Sequence, residues 1–348
     1  APELAEVAQA WVDGITESCS DLSVTLVDAA EEPETSIDVF ISAAGQSPAC
    51  LVVASSPVGL DAVAVAVTVE GLDGVIFSPA LLHRALSGGM TSWADPELQE
   101  LNPEIELTDT PLVLRSSARP QEIAALNEWM SRIDPVGWPA SPSGLIPADL
   151  YDAEAIVTEL ETEGTIAVVP ASMVTNSSLQ TISIQTQNEI EPIYVTVESV
   201  ISAGTQMVTT TEGSNVTAVL DATLPPIPAA GNDVAALPWQ ALNQFSINVC
   251  AGANELAGRA FARYALRLDS QGAMITYGFT ETPEQVRLVA VDAVSQGLPE
   301  PTIPPSDAPE EVVTEEPLEE VTDMPSEEPL EEPLEEEVTD AATPEPTS

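Results

Sequence analysis

The chain has 348 residues, 44% of them hydrophobic, and sets 57 acidic side chains against eight arginines and no lysine, for a formal charge of -49. A field of that sign repels polyanions and excludes nucleic acid as a partner. The length exceeds what one hydrophobic core usually organises and predicts two lobes plus a tail, while apolar runs such as 63–69 and 166–169 are too short to cross a bilayer.

Residues 2–18 place Leu4, Val7, Ala8, Trp11, Val12 and Ile15 at helical spacing and predict an amphipathic helix. Short β-type runs follow at 22–27, 37–41, 51–54 and 63–69. From Gly74 the alternation resumes with a strand at 75–77 and a helix over 79–86 that Ser78 caps and Pro79 starts. A strand at 111–114, helices at 120–132 and 152–161 and a buried strand at 165–169 come next. A β-rich stretch runs to Asp221, and a proline-rich passage, ATLPPIPAAGNDVAALPW, leads to a strand at 245–249, a helix at 254–268 and a last helix from 283 to 294. Such alternation predicts an α/β layer architecture with a largely parallel sheet. The order fits a chain that crosses over, builds a second lobe and returns, with lobe 1 from residues 1–70 and 240–298 and lobe 2 from 71–239.

From Leu298 onward the composition turns to proline, glutamate and repeated E-E-P-L-E-E units without an aromatic residue, and eighteen of the 57 acids fall between Glu300 and Glu345. Such a sequence buries too little surface to offset the chain entropy lost on ordering, so residues 299–348 are predicted to form a disordered, self-repelling tail. It reads as a stalk that holds the lobes away from a membrane or wall, or as a solubilising tail. Ala1 at the start, with no initiator methionine and no charged-then-apolar leader, suits a mature or trimmed exported protein.

Cys19, Cys50 and Cys250 have no C-x-x-C spacing and only His83 for company, so no zinc site is expected. An oxidised pair with one thiol left over suits an exported chain, and Cys19 with Cys50 is the candidate pair, since one follows the first helix and the other precedes a strand of the same lobe. Three buried free thiols are the alternative. No nucleophile elbow or H-E-x-x-H is present, and His83 reads as an outward helix residue, so neither an enzyme nor a cofactor is expected. Trp93, Trp129, Trp138 and Trp239 read as packing residues, and Arg259, Arg263 and Arg267, four apart, as a solvated stripe paired with acids.

The block IFSPALLHRALSGGMTSWADPELQELNPEIELTDTPLVLRSS holds Ser78, Pro79, Leu82, Gly88 or Gly89, Trp93, Asp95, Pro96, Leu101, Asn102, Pro103, Leu107 and Arg115. In order and spacing these resemble the phosphate ABC-transporter substrate-binding family, the PstS-like group of periplasmic binding proteins. GWPASPSG from Gly137, TEGTIAVVPASMV from Thr162 and YGFTETPEQV from Tyr277 are similar to further family segments, so the likeness spans about 22–294. The resemblance implies a type II periplasmic-binding-protein fold, with two α/β lobes joined by hinge strands and a solute in the cleft between them. It also implies an ABC transporter permease, or another cell-envelope component, as a partner.

The departures from the family fall on the site. The opening strand with a T-G-x-G-A-T-like turn precedes the first helix in the family and is not in this sequence. The family's V-D-F-G-x-S-D is here IDVFISA, which keeps Asp38 and Ser42 but has Ala43 where the family has the aspartate that accepts the phosphate proton. The family's R-x-D-G-S-G-T is here RSSARPQ, which keeps Arg115 and puts Ala118, Arg119 and Pro120 in place of the glycine-rich cradle.

Arg115, Ser116 and Ser117 can still offer a guanidinium fork and hydroxyls before the helix from Pro120, with Arg119 as a second charge and Ser42 facing them from the other lobe. Ion pairs with nearby carboxylates are the alternative for both arginines. Loss of the acceptor at Ala43 relaxes selection for a protonated anion or signals a different ligand. The sequence therefore points to an exported, non-catalytic solute-binding protein, extracellular or attached to the cell envelope, that captures a small anionic solute, phosphate or another. The alternative is a surface structural or adhesive module that reuses the fold and binds no solute.

Overall fold

The computed structural model describes residues 2–299 apart from 20, 28–36, 44, 48–49, 70, 73, 118–119, 140–148, 152–159, 161, 176–178 and 230. The chain divides into Ala1–Pro299, which holds every element named below, and Glu300–Ser348, which lies outside the described residues. The expected tail and all but Leu160 of the helix expected at 152–161 therefore fall outside them.

A 3-10 turn at Pro2–Leu4 leads into α1 (Ala5–Ser18), which buries Val7, Ala8, Trp11, Val12 and Ile15 as their helical spacing requires. β1 (Val39–Ala43), β2 (Val52–Thr68) and β3 (Ile76–Phe77) follow. α2 (Pro79–Leu86) starts behind Ser78, whose Oγ accepts the Leu81 N–H, and α3 (Pro96–Leu101) starts behind Asp95, whose carboxylate accepts from Glu97 and Leu98. Next come β4 (Val113–Ser117), α4 (Pro120–Ile133), β5 (Asp149–Tyr151), β6 (Thr165–Pro170) and α5 (Ala171–Thr175). The short strands β7 (Gln180–Thr181), β8 (Ser183–Ile184) and β9 (Ile193–Tyr194) precede α6 (Val197–Gly204), whose start is closed by a reciprocal Thr196–Ser199 capping box. β10 (Met207–Glu212) and β11 (Asn215–Leu220) form a hairpin, and β12 (Leu242–Cys250) returns to the main sheet. α7 (Glu255–Ala265), α8 (Leu268–Thr276) and α9 (Glu284–Val294) complete the body.

The β-type runs expected at 51–54 and 63–69 are one strand of 17 residues. Pro57 and Gly59 look like a break in the sequence, but the strand absorbs them in a bulge: Phe245 pairs with Gly59 and Ser246 with Pro57, leaving Val58 without an opposite residue. A bulge is where a proline, lacking its N–H, can sit inside a ladder. Residues 22–27, expected as a strand, carry no regular structure.

The sheet is mixed rather than largely parallel. Its order is β1-β12-β2-β6-β4-β5, antiparallel at the first three junctions and parallel from β6 to β4 and from β4 to β5. The helix expected at 254–268 is also two helices, so Arg267 opens α8 instead of extending a stripe along α7. Arg259 is buried and ion-paired to Glu255 at 3.1 Å, not solvated.

Two large apolar cores lie along β2, with a small cluster of Leu60, Met207 and Val286 besides them. The second half of the strand, with Val63, Val65 and Val67, packs with β6, Leu82, Trp93, Trp129, Trp138 and Trp239. The first half, with Ala54 and Val58, packs with Trp11, Ile247, Phe261 and Met274. β12 makes the same passage, from Leu242 against the first cluster to Phe245, Ile247 and Val249 within the second. Two strands thus cross between two cores, which gives a mixed α/β body of two-lobed binding-protein architecture.

The tryptophans pack as expected and also place their N–H groups. Trp239 Nε1 donates to Val63 O at 2.9 Å, Trp93 Nε1 to Gly164 O at 2.8 Å, and the Trp129 and Trp239 rings meet edge to face at 4.7 Å. Gly164 has φ +87, and a Cβ there would lie 2.2 Å from Pro111 O, so the turn before β6 requires glycine.

Cys19 and Cys50 are not paired. Cys50 is bonded to Cys250, with Cα atoms 5.6 Å apart, and Cys19 is a free, exposed thiol. The reason is register: β12 sets Cys250 against Val52, so strand pairing joins cysteines 200 residues apart. Among the described residues no helix is long and apolar enough to cross a membrane.

Candidate functional site

β4 carries Arg115, Ser116 and Ser117 between two parallel neighbours. Arg115 pairs with Ala167 of β6 and Asp149 of β5, Ser116 with Val168 and Leu150, and Ser117 with Tyr151. The strand ends at Ser117 and α4 starts at Pro120, and Arg119 between them lies outside the described residues. The carboxyl end of a parallel strand that feeds a helix N-terminus is where backbone N–H groups and the helix dipole favour an anion. Arg115 is half-buried, and its Nη1 donates to the carbonyl of Leu114 at 3.1 Å, which ties one arm of the fork to its own strand. Pro120 contributes no N–H to the first turn of α4.

Ser42 sits on β1, buried, where its Oγ accepts from Asn248 Nδ2 at 2.9 Å. Asn248 Oδ1 accepts in turn from Ser55 Oγ at 2.8 Å, and its Nδ2 also reaches Phe40 O at 3.0 Å. The network uses an acceptor lone pair of Ser42 and leaves its O–H to donate. Ala43, the position of the family's acceptor, is packed into the apolar core around β12, and its N–H donates to Gln46 Oε1 at 3.0 Å.

Strand register decides how far apart these groups stand. Ser42 is level with Ser246 and Pro57, and Arg115 is level with Ala167 and Ala66, so nine residue steps along β2 separate them. At about 3.3 Å per residue that is up to about 30 Å along a straight strand. The carboxyl ends of β1 on one side and of β4 and β6 on the other point toward each other across this span. Arg115 and Ser42 are therefore not neighbours, and one guest can meet both only across the gap that β2 bridges.

Three polar residues in or beside that gap were not singled out from the sequence. Asp61 lies in the bridging part of β2, is 3% exposed, and accepts from Ser172 N at 3.1 Å and Ser172 Oγ at 2.7 Å at the start of α5. Its signal in the sequence is a lone acid in the apolar run GLDAVAVAV, since a buried carboxylate persists only with donors around it. Glu122, 1% exposed, occupies the first turn of α4, where a carboxylate interacts favourably with the helix dipole. Asn248 was hidden because its role depends on three strands meeting side by side. The gap and the start of α4 thus hold two buried acids, Asp61 and Glu122.

Two cavities among the described residues are lined by neither Arg115 nor Ser42. One of about 640 Å³ is bounded by Ile15, Cys19, Leu22, Arg263 and Tyr264, and one of about 230 Å³ by Ala171, Val174, Thr181 and Val195. His83 packs edge to face on Trp138 at 5.3 Å between ring centres. Among the described residues no group of three or more His, Cys, Asp or Glu side chains could hold a metal ion.

No protein-family model matches the chain, and no curated protein matches it either. Solved structures do. A Clostridium perfringens protein described as a phosphate ABC transporter substrate-binding protein, solved with bound phosphate, superposes with a TM-score of 0.50 at 13% identity, over 80% of this chain and 96% of that one. The fold is that of a type II periplasmic binding protein. An ABC-type phosphate transport receptor from Vibrio cholerae (TM-score 0.46, 10% identity, 80% of this chain and 96% of that one) and a phosphate-binding protein from Stenotrophomonas maltophilia (TM-score 0.46, 13% identity, 82% and 83%) are more distant in shape. At such identities the fold is what is shared, and the solutes of those proteins remain theirs.

Proposed function

We propose that the chain is a PstS-like, extracytoplasmic and non-catalytic solute-binding protein that captures a small anion, phosphate or another, between two lobes. The lobes would be residues 1–70 with 240–298, and 71–239, and a spacer at 299–348 would hold them off a membrane or wall. An ABC transporter permease or another envelope component would receive the solute. The observation that carries this reading is Arg115 at the carboxyl end of a parallel strand that feeds the N-terminus of α4. In this reading Ser116, Ser117 and Arg119 complete the donor set on that side, and Ser42, held by Asn248, faces them from β1. Closure over the guest would bend β2 and β12, the two strands that pass between the cores.

A second reading has support of its own. Ala43 is part of a core and Glu122 brings a buried carboxylate to the helix end that an anion would use. Both favour a structural or adhesive surface module that keeps the fold without a solute. Calorimetric titration of the purified chain with phosphate, sulfate and small carboxylates separates the two. Saturable 1:1 heat with one of them supports the binding protein, and flat titrations with all of them support the module.

A further inference from the structure

The acid excess makes an arginine without an acid conspicuous. Among the described residues Arg84, Arg132, Arg259, Arg267 and Arg287 each hold a carboxylate, whereas the Arg263 side chain holds none. Arg263 instead lines the cavity of about 640 Å³ between the C-terminal turn of α1 and α7. Apolar walls come from Ile15, Leu22, Ala260 and the Tyr264 ring.

That ring is fixed on both sides. Its hydroxyl lies 2.2 Å from where a Cβ on Gly14 would be, so it is pressed onto α1. Arg267 covers it at 5.5 Å from the ring centre and is itself locked to Asp269 at 3.0 and 2.7 Å. The cavity therefore presents a preformed apolar wall and a guanidinium with its fork unclaimed by the protein.

We propose that this cavity binds a small organic carboxylate with an apolar body, the carboxylate on Arg263 and the body against Ile15, Leu22 and Tyr264. A single guanidinium matches one carboxylate in bidentate fashion. Of the other donors in the lining, Arg267 is committed to Asp269 and Ser18 to Gly14 O, and with Asp21 beside the cavity a dianion is opposed more strongly than a singly charged carboxylate. The volume falls in the range of small-molecule sites, which are mostly apolar with a few polar groups that set orientation. This site is separate from the β4 end of the sheet and goes beyond the anion-capture reading.

Cys19 lines the same cavity and is a free thiol, so it reports occupancy. The test is the rate at which N-ethylmaleimide alkylates Cys19 in the full chain with Cys50–Cys250 oxidised. Benzoate is the probe and benzamide its uncharged isostere. Saturating benzoate is expected to slow the reaction at least threefold and benzamide to leave it nearly unchanged. Arg263→Gln should abolish the protection and Arg115→Gln should leave it intact. Absence of protection by benzoate, equal protection by benzamide, or undiminished protection in a folded Arg263→Gln variant overturns the proposal. If that variant does not fold, the contrast between benzoate and benzamide on the unaltered chain decides. Because the readout does not involve Arg115, failure here and failure of solute capture at β4 are distinguishable.

Discussion

The two halves of β2 are held by different means. From Val63 to Val67 every residue is buried, and the strand is fixed by apolar packing against β6 and the tryptophans. From Val52 to Pro57 one set of side chains meets a core, while Ser55 joins Asn248 and Ser42 in a buried polar network, and the Cys50–Cys250 bond ties the strand's start to the end of β12. The lesson is that one half of the strand is held by volume alone and the other by a core together with specific polar and covalent partners. Substitutions should therefore fail for different reasons at the two ends.

The sharpest break is expected in the apolar half. Trp239→Ala removes a fully buried ring, its contact with Trp129 and its bond to Val63 O, and is expected to cost about 3–5 kcal/mol in urea unfolding. In the other half, Cys50→Ser with Cys250→Ser should cost about 2–5 kcal/mol by the same measurement, chiefly by releasing a long loop in the unfolded chain. Asn248→Ala should cost about 1–3 kcal/mol, because it deprives Ser42 and Ser55 of a buried partner at once. If Asn248→Ala were as damaging as Trp239→Ala, the contrast between the halves would not hold.

Acid makes the smallest difference. Hydrogen bonds from Arg287 lower the pKa of Glu284, and those from Arg267 lower that of Asp269. A carboxylate lowered on folding stabilises the protein above its unfolded value and loses that contribution as pH falls through the folded one. Stability should thus decline below the ordinary values of 4.5 and 3.8. Both acids are largely exposed, so Glu284→Gln should flatten this pH dependence while costing under about 1 kcal/mol at neutral pH.

What was legible in the sequence was local. Ser78 with Pro79 announced α2, helical spacing announced α1, and the apolar run before Pro170 announced β6. The block ending at Arg115 also pointed to the fold. What was not legible depends on strands that meet only in three dimensions. Pro57 disguised a continuous strand because its bulge forms against β12, far along the chain. The disulfide partner of Cys50 follows from that same pairing, and neither cysteine's local sequence contains it. The proposed site divides in the same way: Arg115 stood out by motif, whereas Asp61 and Asn248 acquire meaning from Ser172 and Ser42 beside them.

The most direct measurement is the heat of phosphate binding to the unaltered chain and to Arg115→Gln, with Arg132→Gln, in the last turn of α4 at the end of that helix away from β4, as a control. Capture at the end of β4 predicts a saturable heat that weakens at least tenfold in Arg115→Gln and persists in Arg132→Gln. Equal binding by all three proteins would contradict it, as would no heat from the unaltered chain with phosphate or any other small anion.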